Sequence, residues 1–243
     1  MVSIFFTIEI FFLKIWYTRF NQLNESEDIK MDILETMKAR HSVRQYKNQA
    51  IESSKREKIN ALIKDVNAES KLSIQVFYDE PKCFDSFMAH YGKFENVKNY
   101  IAIVGNKNDQ EKAGYYGEKI VLKCQKLGLN TCWVAMTHGK SKAQIKRGQK
   151  LLIIISLGYG ETQGVPHKSK SIAELGQADQ KNEWFEKGME AVSLAPTAVN
   201  QQKFYFELKN GIVTAKNLGG FYSRIDLGIV KYHFEAVTGH EVK

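Results

Sequence analysis

Four short stretches of the 243-residue chain hold residue types that together could grip a flat, anionic ligand. Residues 40–46 read Arg-His-Ser-Val-Arg-Gln-Tyr. Arg40 and Arg44 can fork onto phosphate oxygens, because a guanidinium is planar and always charged. Ser42 adds a hydroxyl and His41 a ring donor. Downstream, Lys168 and Lys170 stand two apart in His167-Lys168-Ser169-Lys170, and in an extended segment they point the same way. Four cations match a phosphate monoester carrying close to two negative charges. A third stretch, Ala195-Pro196-Thr197-Ala198-Val199-Asn200-Gln201-Gln202, has small residues that let backbone approach a flat ring. Its Asn200 and Gln202 side chains can both donate and accept. In the fourth, Gly128 to Ala135, backbone around Cys132, Trp133, Val134 and Ala135 can meet an aromatic ligand. Taken singly, each stretch reads better as solvated surface, polar loop or core strand.

Other chemistries find less support. The three cysteines, Cys83, Cys124 and Cys132, show no CxxC spacing, so neither a disulfide framework nor a zinc site is expected. No base can be assigned to activate Cys132 as a nucleophile. The formal charge of +8 fits a polyanion partner. The lysines are scattered, however, and no helix-turn-helix or RRM signature is present, so a small anionic ligand is the better reading.

The elements that must position these stretches follow from periodicity and punctuation. Asp32 with Glu35, and Ser54 with Glu57, form capping-box patterns ahead of apolar faces, which predicts two consecutive helices. Leu72–Tyr78 and Tyr100–Val104 read as strands. Tyr116 to Leu127 has helical spacing and Gly128 offers a left-handed cap. Thr131–Ala135 is extended, and Leu151–Leu157, apolar throughout, is a buried central strand. Trp184–Leu194 is a helix stopped by Pro196. Lys203–Leu208 and Ile212–Lys216 flank Asn210-Gly211, a tight hairpin signal. A last helix is expected from about Asp226 to Val237. The class is α+β, with a mixed or antiparallel central sheet flanked by helices.

In this order the four stretches resemble the nitroreductase family of flavoproteins. Arg40, His41, Ser42 and Arg44 match its R-x-S-x-R type motif, Gly128 to Ala135 a G-L-x-T-C-W type segment, and Lys168 and Lys170 its basic pair. Thr197 to Phe204 matches the small-small-x-N-x-Q-P-W segment, with Lys203 for Pro and Phe204 for Trp. The resemblance covers Met31 to the end. It implies FMN held by Arg40, His41, Ser42, Arg44, Cys132, Trp133, Val134, Ala135, Lys168, Lys170, Pro196, Thr197, Ala198, Asn200 and Gln202. It also implies NAD(P)H as transient donor, a small nitroaromatic or quinone acceptor in a ping-pong cycle, and no metal. No side chain is assigned as a general acid. Tyr115, Tyr116, Phe94 and Phe221 are candidates for an aromatic lid, each equally readable as core.

The order departs from the family in one respect. The small-x-N-x-Q segment ordinarily follows the arginine motif closely and reaches the FMN of the other subunit of a dimer. Here it lies far downstream. The resemblance therefore implies a partial internal duplication: residues 31–170 as one protomer-like half and 171–243 as a reduced second half that completes one FMN site, in a monomer acting as a pseudo-dimer. Residues 1–30 read as an extension outside the fold, Met31 being a plausible start. The apolar run 4–17 is too short to span a bilayer, although an interfacial anchor stays open. A cytoplasmic location is expected. Two other readings stay open: an FMN carrier or sensor without efficient turnover, and a flavin enzyme of another reaction class, such as a reductive dehalogenase.

Overall fold

The computed structural model describes residues 32–243; the expected N-terminal extension and Met31 lie outside them. Helix α1 (Ile33–Ala39) leads into the arginine motif, and α2 (Ser53–Ser70) follows. α2 starts two residues earlier than the capping-box reading, with Glu52 rather than Ser54 at the cap position and no side-chain cap. Its first turn instead closes on the carbonyl of Glu52, which accepts from the amides of Lys55 and Arg56.

Strands β1 (Ser73–Phe77), β2 (Asn99–Gly105), β3 (Asn130–Val134) and β4 (Lys150–Gly158) form an antiparallel sheet in the order β1-β2-β4-β3. The apolar run Leu151–Leu157 does lie inside it, paired on both edges. Alternation divides its side chains between two cores. Ile153, Ile155 and Leu157 of β4, with Ile101 and Ile103 of β2, face the helices. Ile154 faces the other way, with Tyr100, Ala102 and Val134. A short helix, α3 (Phe87–Tyr91), missed by periodicity because it makes little more than one turn, lies between β1 and β2.

Helix α4 (Gln110–Lys126) begins well before the predicted Tyr116, since Asp109 turns the chain by accepting from the Asn106 amide. Gly128 takes the expected left-handed conformation, φ 73°. After β4 come α5 (Ile172–Leu175), β5 (Gly176–Ala178) and α6 (Glu183–Ser193). Then follow β6 (Phe204–Lys209), β7 (Ile212–Asn217) and α7 (Ser223–Thr238). β5 pairs parallel to β6, and β6 antiparallel to β7, in a second, three-stranded sheet. The hairpin turn has Asn210 and Gly211 at φ 53° and 75°, the geometry that Asn-Gly favours.

α4 and α7 cross at the centre. A Cβ at Gly114 would stand 2.0 Å from the carbonyl oxygen of Ile225, and one at Gly228 would stand 1.9 Å from that of Glu111. The helix backbones therefore touch with no side chain between them. Among the described residues no helix is long and apolar enough to cross a membrane.

Candidate functional site

The arginine motif does not end in a free loop. Its backbone is sewn to three neighbours. The amide of Val43 donates to Thr131 O of β3 (3.0 Å), that of Tyr46 to Glu95 O (3.1 Å) and that of Lys47 to Tyr159 O (2.7 Å). Val43 and Tyr46 point into the core, and the Tyr46 hydroxyl lies 2.7 Å from both Val43 O and Ser156 Oγ. The extended run thereby places Ser42 and Arg44 on the opposite side, over β3.

Two cavities open there. One is an apolar slot of about 460 Å³, floored by Cys132 and Trp133 of β3 and walled by Ala135, Pro196, Thr197 and Ala198. The other is a basin of about 250 Å³ lined by Arg40, His41, Arg44, His167 and Asn200, with no carboxylate on its wall. Ser42, Arg44, Pro196, Thr197 and Val199 belong to both, so the two are one cleft with an apolar and a basic end. The volumes suit a small-molecule ligand.

Arg40 is nearly buried, and its charge is met from below. Glu118 of α4, fully buried, brings Oε1 to 3.8 Å from Arg40 Nε. The same carboxylate lies 3.0 Å from His233 Nε2 of α7 and accepts from Trp133 Nε1 at 3.0 Å. Burial raises the Glu118 pKa, but the His233 hydrogen bond and the charges of His233 and Arg40 outweigh it, and the net shift is downward. Gly117 makes room for this contact: a Cβ there would meet the Trp133 ring at 2.4 Å. The buried Arg40 Nε, facing Glu118 beyond hydrogen-bond reach, has no hydrogen-bond partner. Burial lowers the pKa of His41 and of His167. His167 Nε2 faces Ser193 O at 3.1 Å.

The loop after α6 forms the opposite wall. Val199, Asn200 and Gln202 all sit at positive φ (47°, 54° and 46°), a costly region for L residues. Asp226 of α7 holds the loop: its Oδ1 accepts from the Ala198 amide (2.9 Å) and its Oδ2 from Gln201 Nε2 (2.7 Å).

The structure brings Arg40, His41, Ser42, Arg44, Cys132, Trp133, Ala135, Pro196, Thr197, Ala198 and Asn200 to the cleft, as the sequence led one to expect. Four expected residues are placed otherwise. Val134 points into the core beneath the sheet. Lys168 and Lys170 line neither cavity; the basic residue from their segment that does is His167. The Lys168 carbonyl accepts from Asn200 Nδ2 and Gln202 Nε2, each at 2.9 Å. Gln202 is buried and wholly engaged: its Oε1 also accepts from the Lys170 amide (2.8 Å), and its carbonyl from Lys170 Nζ (3.2 Å). Its amide therefore clamps the lysine segment to the loop. Of the lid candidates only Phe221 lines the slot. Phe94 is core, and the Tyr115 and Tyr116 hydroxyls bond to Glu235 and Glu69. Cys132 is buried, which pushes its thiol up, so it is a wall and not a nucleophile. Tyr91, Lys93, Met136, Tyr222 and Asp226 complete the slot. Sequence patterning carried no signal for them as site residues.

Residues 32–238 match the model of the family described as "Putative TM nitroreductase". The chain belongs to that family. The structure of a putative nitroreductase from Thermotoga maritima MSB8 superposes with a TM-score of 0.63 at 24% identity, covering 85% of this chain and 83% of that one; the likeness is one of fold. An FMN-dependent nitroreductase from Clostridium difficile R20291 shares 22% identity over 58% of this chain and 92% of its own, TM-score 0.43. A putative nitroreductase from Desulfovibrio desulfuricans, in complex with FMN, shares 15% identity over 60% of this chain and 95% of its own, TM-score 0.47. No curated protein matches. The nitroreductase-family chain thus has the α+β architecture expected of it, two sheets flanked by helices, with its conspicuous cleft built from the stretches that suggested the family.

Proposed function

We propose that this family member binds FMN and acts as an oxidoreductase, carrying electrons from NAD(P)H to a nitroaromatic, quinone or similar acceptor. One observation carries the reading: an apolar slot and a carboxylate-free basic basin are continuous through Ser42 and Arg44. A ligand with a flat head and a phosphate tail matches such a cleft.

In this reading Arg40, His41 and His167 face the phosphate. Arg44, at the junction, reaches either the phosphate or the polar edge of the ring. Ser42 contributes its hydroxyl. Asn200 lines the tail, and the clamp of Gln202 on residues 168–170 fixes the basin's rim. Cys132, Trp133 and Ala135 form the surface on which the ring lies, and Ala198 and Val199 wall one side. FMN held there would supply the hydride- and electron-transfer chemistry. The protein's part is position and electrostatics; the three buried cysteines supply no nucleophile.

Both walls of the cleft come from one chain, which supports a monomer with one FMN per chain, acting as a pseudo-dimer. The test is an absorption titration with FMN, read for flavin bands and stoichiometry. Saturation at one FMN per chain, with NADPH or NADH oxidation dependent on an added nitroaromatic or quinone, is the expected result. Arg44→Ala removes a charge-assisted contact and is expected to weaken FMN binding by about one to two orders of magnitude. A protein that takes up no FMN overturns the reading.

A further inference from the structure

The mouth of the slot has a charge pattern that the FMN reading, on which this inference rests, does not use. We propose that Lys93 is a specificity-determining residue that makes the nitroreductase-family cleft prefer aromatic acceptors carrying an anionic group, such as a carboxylate.

Lys93 follows Gly92, the residue after α3, and sits at φ 60°. A lysine in that region is strained, and the turn that imposes it is fixed on both sides. The Lys93 amide donates to His90 O (2.8 Å) and the Phe94 amide to Ala89 O (3.0 Å). Phe94 is buried, with the Arg44 guanidinium 5.9 Å from its ring centre. The root of Lys93 is thereby rigid while its side chain lines the slot.

Its neighbours on that wall are the apolar residues Tyr91, Met136 and Phe221, exposed by 74%, 58% and 42%. Large apolar groups so exposed around a concave opening mark a binding surface. The slot lining has two cations, Arg44 and Lys93, and one carboxylate, Asp226. Asp226 is buried and its two oxygens are taken by the Ala198 amide and Gln201. Neither Arg44 nor Lys93 forms an ion pair among the described residues. Arg44 borders the basin and is committed to the cofactor. Lys93 lines the slot alone, so its charge is left for the second molecule, whose ring the apolar rim would cover.

The discriminating probe is a pair of equal shape and different charge. Benzoate and benzamide are titrated against FMN-loaded protein, with the perturbation of flavin absorbance as readout; 4-nitrobenzoate and 4-nitrobenzamide are compared as acceptors by kcat/KM. The wild type is expected to favour the carboxylate. In Lys93→Gln the benzoate-to-benzamide preference falls about tenfold, Lys93→Glu inverts it, and Lys93→Arg keeps it. The same preference in wild type and Lys93→Gln, with FMN bound in both, overturns this proposal alone. Loss of FMN from Lys93→Gln also overturns it, by assigning the lysine to the cofactor. A wild type that binds no FMN overturns the functional reading as well.

Discussion

Asp226 is a residue whose roles conflict. It anchors the strained loop that walls the cleft, yet it is buried. Burial is the largest influence on it and raises its pKa from 3.8 to about 6, against the hydrogen bonds from Gln201 and the Ala198 amide, which lower it. A carboxyl whose folded pKa lies above the unfolded one favours folding in its protonated form. Its stabilising contribution is fully present below the unfolded pKa and is lost as pH rises through the folded one. The wild type is therefore expected to lose up to about 3 kcal/mol of stability between pH 4 and pH 7 relative to Asp226→Asn. Urea denaturation of both proteins across that range checks the sign. A stability difference independent of pH would show that Asp226 is ionised throughout at no cost.

At the scale of elements, the molecule turns on the crossing of α4 and α7. Glycine inside a helix ordinarily costs about 1 kcal/mol against alanine, so Gly→Ala on a solvated helix face stabilises. At Gly114 and Gly228 the sign reverses, because the new Cβ would overlap a carbonyl of the facing helix. Gly114→Ala is expected to destabilise by about 3 kcal/mol, read as a lowered denaturation midpoint. It should also weaken FMN binding, since α4 carries Glu118 beneath Arg40 and α7 carries Asp226 beneath the loop. An alanine variant as stable as wild type would mean that the helices can separate without loss. The capping signal before α2 and the helical spacing of Tyr116 to Leu127 located α2 and α4. They missed the true starts because Glu52 and the Asn106–Asp109 turn set the first hydrogen bonds.

At the scale of the whole molecule, the question is whether one chain suffices. The arginine motif lies along β3 and the Pro196–Gln202 loop comes from beyond α6, yet both bound the same cleft. FMN affinity is accordingly expected to stay constant over a roughly hundredfold dilution of the protein, whereas a site shared between subunits would lose FMN as they part. Fluorescence titration at several protein concentrations, with light scattering for mass, decides between them. The distant segment returns to the motif through the tertiary fold of a single chain.

What the sequence determined by itself is what depends on neighbours along the chain. Alternation placed β6, the all-apolar run placed β4 inside its sheet, Asn210-Gly211 placed the hairpin, and helical spacing placed α6. The residue types of four stretches suggested a site for a flat anion before any geometry was known, and most of the residues named line one cleft. Tertiary structure decided which groups remain available to a ligand. Gln202 has the donors and acceptors that were expected, but it spends them on residues 168–170. Lys168 and Lys170 carry the expected charge but line neither cavity, and His167 is the basic residue of their segment that lines the basin. Lys93 and Asp226 lie in stretches without a motif and reach the slot only through the turn after α3 and the packing of α7. A side chain's chemistry is written in its type, while its freedom to act depends on which partners the fold brings within hydrogen-bond reach.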